Sequence, residues 1–184
     1  MKRFIIEFSE IKSDESSLID NKAARLAFLL KKKITIPKAL VLTTEAFSYF
    51  LRKEYFYFIH EAMTGNLSLE DLAFLASDLR KKILETDLPS ELLVVLDKKM
   101  REMGFDWFSV RSSATVEDSP QASFAGLFET DLNVDIKGLT SGIKKCWASA
   151  FSPRVVIYTK RKGIPLNKVS MAVIVQEMIV GDKA

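Results

Sequence analysis

One stretch of this chain carries residue types suited to chemistry: residues 109–133, SVRSSATVEDSPQASFAGLFETDLN. Arg111 offers five N–H donors in a planar fork, a shape that matches phosphate oxygens. Ser112, Ser113 and Thr115 add hydroxyl donors close behind it. Further on, Ala122-Ser123-Phe124-Ala125-Gly126 sets small residues around one aromatic, and Gly126 lets the backbone approach a ligand. An arginine, three hydroxyls and a small-residue turn together read as a phosphate-binding arrangement. The same residues also admit a structural reading, in which Arg111 forms a buried ion pair with Glu117 or Asp118 beside an ordinary loop. Elsewhere the chemistry thins out. The single histidine, His60, lies in the helical aromatic stretch YFYFIHEAM and reads as a structural or surface residue. The single cysteine, Cys146, lies in KKCWASAF and reads as a buried thiol. No general base stands paired with a nucleophile, so no catalytic residue and no metal ligand is assigned to this chain.

The elements that must position this stretch follow from hydrophobic periodicity and from turn and capping residues. Residues 4–8 form a short strand, and residues 9–17 are polar and loop-like. Residues 18–32 are helical, with Leu26, Leu29 and Leu30 on one face. Pro37 breaks the pattern, residues 39–43 read as a strand, and Thr44 caps a helix over residues 45–62 that Gly65 ends. Ser68 and Asp71 have the spacing of a capping box, which starts a helix over residues 69–85. The next helix follows Ser90 and stops at Gly104, with Leu92, Leu93, Leu96, Met100 and Met103 facing the core. From Asp106 the character changes: a strand over residues 107–111, a long loop over 112–126, and a strand over 128–134. A helical stretch over 136–158, interrupted at Pro153, and a strand over 169–180 complete the pattern. Loops of this length are often functional.

Composition sets limits. The chain has 184 residues, 48% hydrophobic and 28% charged, with only seven glycines, which suits a folded domain rather than a disordered one. No apolar run approaches the roughly 18 residues of a membrane helix. The opening MKRFIIEFSE lacks the long apolar stretch of a secretion signal. The cytoplasm is therefore the expected compartment, with no membrane partner. Net charge is +3, and the basic runs at 31–33, 80–82 and 160–162 each border a helix. Aromatics are not interleaved with them as a nucleic-acid surface requires, so they read as solvated helix faces and no nucleic-acid partner is expected.

The segment VRSSATVEDSPQASFAGLFET resembles the signature of the nucleotide-binding domain shared by phosphoenolpyruvate synthase, pyruvate phosphate dikinase and rifampicin phosphotransferase. Three flanking segments support the resemblance in order. Asp20-Asn21-Lys22-Ala23-Ala24-Arg25-Leu26 is similar to that family's Gly-Gly-Lys-Gly segment. Residues 36–47 are similar to the strand and turn after it, and MAVIVQEM at 171–178 to the strand leading to the adenine pocket. The resemblance implies an α/β (α+β) chain, the first lobe of an ATP-grasp domain. Residues 1–105 would form its N-terminal helical and strand portion, and 106–184 its strand–loop–strand–helix–strand portion. It implies that Lys22 and Arg111 bind the phosphates of ATP, and that Gly126 to Thr130 form the loop over them. It further implies that Gln176 lies on the strand edging the adenine, with the backbone of Glu177 and Met178 reading the adenine edge. The chain departs from the family at Asp20, Asn21 and Ala23, which replace glycines around the lysine, and at Leu127 and Phe128, where some members carry polar residues.

The same resemblance implies a larger enzyme using ATP and magnesium. It would phosphorylate a histidine carrier and then pyruvate, giving phosphoenolpyruvate, AMP and phosphate. The metal ligands, the carrier and the acceptor site are expected outside this chain, which alone should bind ATP weakly or not at all and turn nothing over. Transfer to an antibiotic hydroxyl, as in rifampicin phosphotransferase, is the alternative within the family. A non-catalytic nucleotide-binding module is an alternative of another class, and a basic protein touching nucleic acid is a weaker one. A second lobe outside the chain should leave one sheet face open, a surface that a homodimer could cover.

Overall fold

Hydroxyl caps and left-handed glycines set the helix ends of this protein, whose computed structural model describes residues 3–11, 15–65, 67–114, 118–119, 122–124 and 126–179. Strand β1 (Ile5–Glu7) runs into a single 3-10 turn, and α1 (Ser16–Lys31) follows. After β2 (Ala39–Leu42), Thr43 Oγ1 accepts from the Ala46 N–H at 3.3 Å and so caps α2 (Thr44–Thr64). The expected cap at Thr44 is thus one residue late, because Thr44 is already helical. Ser68 accepts from the Asp71 N–H at 3.1 Å and starts α3 (Leu69–Glu85), as the capping spacing predicts. Helix α4 (Ser90–Met103) ends on Gly104 at φ 71°, a conformation that glycine adopts without strain.

Strand β3 (Trp107–Ala114) is longer than expected, and Arg111 lies within it rather than at its exit. Residues 112–114, expected as loop, continue the strand because Val173, Ala172 and Met171 pair with them. The next described pieces are β4 (Asp118–Ser119) and β5 (Ala122–Ser123), a small hairpin inside the expected loop. Expected contacts from Thr115, Glu117 and Ala125 fall outside the described residues. Strand β6 (Thr130–Asp135) begins two residues later than expected and bulges opposite Phe108 and Val110. The single interrupted helix expected over 136–158 is two helices, α5 (Leu139–Ser149) and α6 (Pro153–Lys162). Ser152 caps the second at Val155 N, and Pro153 needs no partner in its first turn. Strand β7 (Met171–Glu177) is the last described element, and Val180 of the expected longer strand is not among the described residues.

The sheet order is β1-β2-β7-β3-β6, and every neighbouring pair is antiparallel. β7 enters last yet occupies the centre, so strands from both halves of the chain share one sheet. Helices on both faces of this sheet make the chain α/β in class, consistent with a lobe of the ATP-grasp type. One face carries the larger core, in which α2 to α6 cover Leu40, Leu42, Phe108, Val110, Val173 and Val175. Trp147, Phe47 and Phe50 are its largest members, with Trp147 and Phe50 rings 4.9 Å apart. The Trp147 indole N–H has no partner among the described residues. On α4, Leu92, Leu96 and Met100 are buried as expected, but Leu93 is exposed, since it lies off the stripe that the other three form. The other face is smaller: α1 packs Ile19, Ala23 and Ala27 on Ile6, Ala39, Val41, Ala172 and Ile174.

Candidate functional site

The alternation of a strand decides what the α1 face offers. In β3, Phe108, Val110 and Ala114 belong to the larger core, so Ser109, Arg111 and Ser113 point to the α1 side. Their partners across the sheet are Gln176, Ile174 and Ala172 of β7, the last two already packed under α1. On the opposite edge, Thr130 of β6 pairs with Arg111. Helix α1 packs on β3 as well as on β7 and β2, and this face becomes more open toward the β6 edge. Arg111 is half-buried there, Thr130 is exposed, and Leu132 is 53% exposed.

Among the described residues, no hydrogen bond or ion pair engages the Arg111 guanidinium. Neighbouring carboxylates are occupied elsewhere. Glu129 pairs with Arg80 of α3, and Asp131 accepts from Lys145 of α5 at 2.8 Å. Asp20 accepts from Ser113 Oγ at 2.9 Å. A half-buried guanidinium with open donors is suited to a planar or tetrahedral oxyanion.

Lys22 arrives from α1. The helix is broken at Asp20, whose φ of 60° and ψ of 169° lie in a region that is essentially reserved for glycine and costs about 1–3 kcal/mol otherwise. Lys22 therefore stands in the first turn after a bend. Its Nζ donates to the Ser112 carbonyl at 2.9 Å, the residue next to Arg111. Asp20, at a position where the resemblance implies a glycine, thus adopts a glycine-like backbone conformation.

The loop after β5 is fastened to the core. Phe124 is fully buried, stacks on Phe128 at 5.7 Å and meets the edge of Tyr158 at 5.0 Å. The Leu127 N–H closes a turn on the Phe124 carbonyl at 3.0 Å. Within it Gly126 is exposed at φ 72° with open space around it, so the turn geometry is what requires a glycine. Sequence reading found the glycine and missed the anchor, although the Phe-x-x-x-Phe spacing was visible.

At the other end of β7, Gln176 is buried, and its Nε2 donates to the Pro37 carbonyl at 3.2 Å. The Glu177 N–H donates to the Lys38 carbonyl, and the Met178 N–H to the Trp107 carbonyl at 3.0 Å. These residues tie β7 to β2 and to the start of β3. Structure thus gathers Arg111, Thr130 and the Lys22 arm around the middle of β3. It sets Gln176, Glu177 and Met178 at the end of β3 where Trp107 and Ser109 lie. Burial pushes the Cys146 thiol beneath this sheet up to about 12, consistent with a packed, unreactive residue. His60 is exposed and lies near Thr64 Oγ1 on α2.

The amino-acid sequence is similar to that of known proteins. The probable phosphoenolpyruvate synthase of Staphylothermus marinus is 34% identical over 190 residues, a match covering 97% of this chain and 23% of that protein. That of Methanocaldococcus jannaschii is also 34% identical, over 99% of this chain and 16% of its own length. The rifampicin phosphotransferase of Bacillus subtilis is 32% identical over 97% of this chain and 21% of its own. The chain thus spans less than a quarter of each of these relatives. The model of the pyruvate phosphate dikinase AMP/ATP-binding domain matches residues 16–184, from the first turn of α1 through β7 and beyond. With the bent helix, the unpaired arginine strand and the glycine turn all inside that match, the chain belongs to the pyruvate phosphate dikinase AMP/ATP-binding domain family.

Proposed function

We propose that this chain supplies the first half of the ATP site of a phosphoenolpyruvate-synthase-like phosphotransferase. The observation that carries the reading is Arg111, half-buried on the α1 face of the sheet with no partner among the described residues, beside exposed Thr130 and next to the carbonyl that accepts from Lys22. An ATP polyphosphate fits this group of donors. The Arg111 fork would take two phosphate oxygens, Thr130 would donate its hydroxyl, and Lys22 would swing its ammonium from the Ser112 carbonyl to the anion. The Gly126 turn would lie over the phosphates. Gln176, held by Pro37, would act by fixing the end of β7, and the carbonyl and side-chain groups of Glu177 and Met178 would border the base.

Phosphoryl transfer depends on positioning and on stabilising developing negative charge, and these cations supply that stabilisation. Among the described residues no cluster of three or more Asp, Glu, His or Cys side chains could hold a metal ion. In the whole enzyme the phosphoryl group would pass to a histidine carrier and then to pyruvate, giving phosphoenolpyruvate, AMP and phosphate. A second reading, transfer to an antibiotic hydroxyl, is favoured by the rifampicin phosphotransferases that match at nearly the same identity. The phosphate site is common to both readings.

The test is a titration of this chain with ATP and magnesium, followed by calorimetry and by backbone amide shifts. The expected result is weak binding, in the millimolar range of about 4 kcal/mol, with shifts centred on residues 109–113 and 126–132. Arg111→Ala should abolish it. Equal binding by Arg111→Ala, or shifts confined to another surface, would remove Arg111 from the site.

A further inference from the structure

The backbone at Asp20 is held where only glycine rests freely, and the local sequence does not compel it. An unbroken helix over Ser16–Lys31 would give Asp20 ordinary helical angles. The compensating contact comes from the far side of the sequence. Asp20 is buried, and its Oδ2 accepts a hydrogen bond from the hydroxyl of Ser113, 93 residues away and itself fully buried. One residue earlier on β3, the Ser112 carbonyl accepts from Lys22 Nζ. Two successive residues of β3 therefore grip two residues of α1 that flank Asn21, just at the bend. Both grips are polar, and the first is shielded from water, where a lost partner is most costly.

We infer that Asp20 and Ser113 form a buried pin that fixes the bend of α1 and so sets where the Lys22 ammonium stands relative to Arg111. Asp20 is a positioning residue. Glycine would reach this conformation unaided; the pin gives this chain the bend with an aspartate. The role assigned to Lys22 rests on the phosphate-site reading, whereas the pin itself needs no ligand. The two can therefore fail separately.

The experiment compares Ser113→Ala, Asp20→Ala and Asp20→Asn with the unaltered chain in two measurements. The first is amide hydrogen exchange without ligand. In Ser113→Ala and Asp20→Ala, residues 23–27 should exchange at least about fivefold faster, the scale of one buried hydrogen bond lost. The amides of α5 and β7 should change by less than about twofold. Asp20→Asn keeps an oxygen that can accept from Ser113 and should keep the protection. The second measurement is the ATP titration, in which Ser113→Ala and Asp20→Ala should weaken binding by about fivefold or more while Asp20→Asn does not. Uniform acceleration across the chain, no acceleration, or equal loss in Asp20→Asn and Asp20→Ala would overturn the pin. Faster exchange with ATP binding unchanged would overturn the positioning role. Should Arg111→Ala bind ATP as well as the unaltered chain, the phosphate reading falls, and the exchange measurement still judges the pin.

Discussion

Lys22 Nζ and the Ser112 carbonyl are 2.9 Å apart, although 90 residues separate them in the chain. That bond joins α1 to the strand that carries Arg111 and helps to place the ammonium. A carbonyl is a modest partner for a cation. Exchange of this bond for a phosphate oxygen brings a full charge–charge interaction in place of a charge–dipole one.

Lys22→Met should therefore weaken ATP binding far more than it weakens the fold. A hydrogen bond to a charged group contributes about 1.5–3 kcal/mol, which is roughly tenfold to a hundredfold in affinity. Loss of the Ser112 contact, which is only part-buried, should cost about 1 kcal/mol of stability or less. Titration calorimetry and urea unfolding on the same variant give the two numbers. Unchanged affinity would place the lysine outside the site.

Arg111→Lys separates charge from shape. An ammonium keeps the charge but cannot make two parallel bonds to one phosphate. Its binding should fall between that of the unaltered chain and that of Arg111→Ala, and its remaining affinity should decline more steeply as salt is raised from low to physiological ionic strength. Binding equal to the unaltered chain would mean that Arg111 serves as a point charge only.

Local signals in the sequence were legible because local physics makes them. Ser68 and Asp71 marked the start of α3 correctly, since a cap and its recipient amide lie within one turn. Gly104 and Pro153 likewise stand at real helix ends. Arg111 and Gly126 are singled out by residue type, whereas Lys22 is singled out only by the resemblance of its segment. What remained hidden depends on partners distant in sequence. Residues 112–114 carry no apolar alternation, and they are strand because β7 pairs with them some sixty residues later. The amide of Gln176 is committed to Pro37, 139 positions away. The bend at Asp20 needs Ser113. Thr43 and Thr44 are chemically alike neighbours, and only the backbone geometry tells which one caps.

Cys146 makes a pH prediction. Burial is the main cause that raises the thiol from 9.0 to about 12; the charges of Glu129 and Asp131 add to the rise, and those of Lys22 and Lys145 oppose it. Its Sγ–H lies 3.5 Å from the Glu129 carbonyl and 3.7 Å from that of Val110. Between pH 9 and about 12 the folded chain holds a proton that the unfolded chain releases. The associated stability is thus fully present below pH 9 and is lost as pH rises to about 12, at no more than about 1.4 kcal/mol per pH unit. Urea midpoints from pH 8 upward should fall faster for the unaltered chain than for Cys146→Ala. Parallel curves would show that the thiol is not shielded. A thiol reagent at pH 8 should label the folded chain only as fast as it unfolds.

Gly142 links the packing of the larger core to the position of Arg111. It lies buried on α5 against β3, where an added Cβ would come within 3.3 Å of Val110 Cγ2 and 3.4 Å of Val110 Cβ. Val110 precedes Arg111, so the helix and the site share a strand. Gly142→Ala gains about 0.5–1 kcal/mol of helix propensity and loses a similar amount to crowding, so its net effect should stay within about 1 kcal/mol. Gly142→Leu has no such compensation: four carbons must enter a space that scarcely admits one. Its expected cost is about 1–3 kcal/mol in urea unfolding. The ATP-induced shifts at residues 109–113 should weaken with it, since α5 can make room only by pressing on β3. A Gly142→Leu chain as stable as the original would mean that α5 slides away from β3 freely, and that close packing beneath Arg111 does not fix where its guanidinium stands.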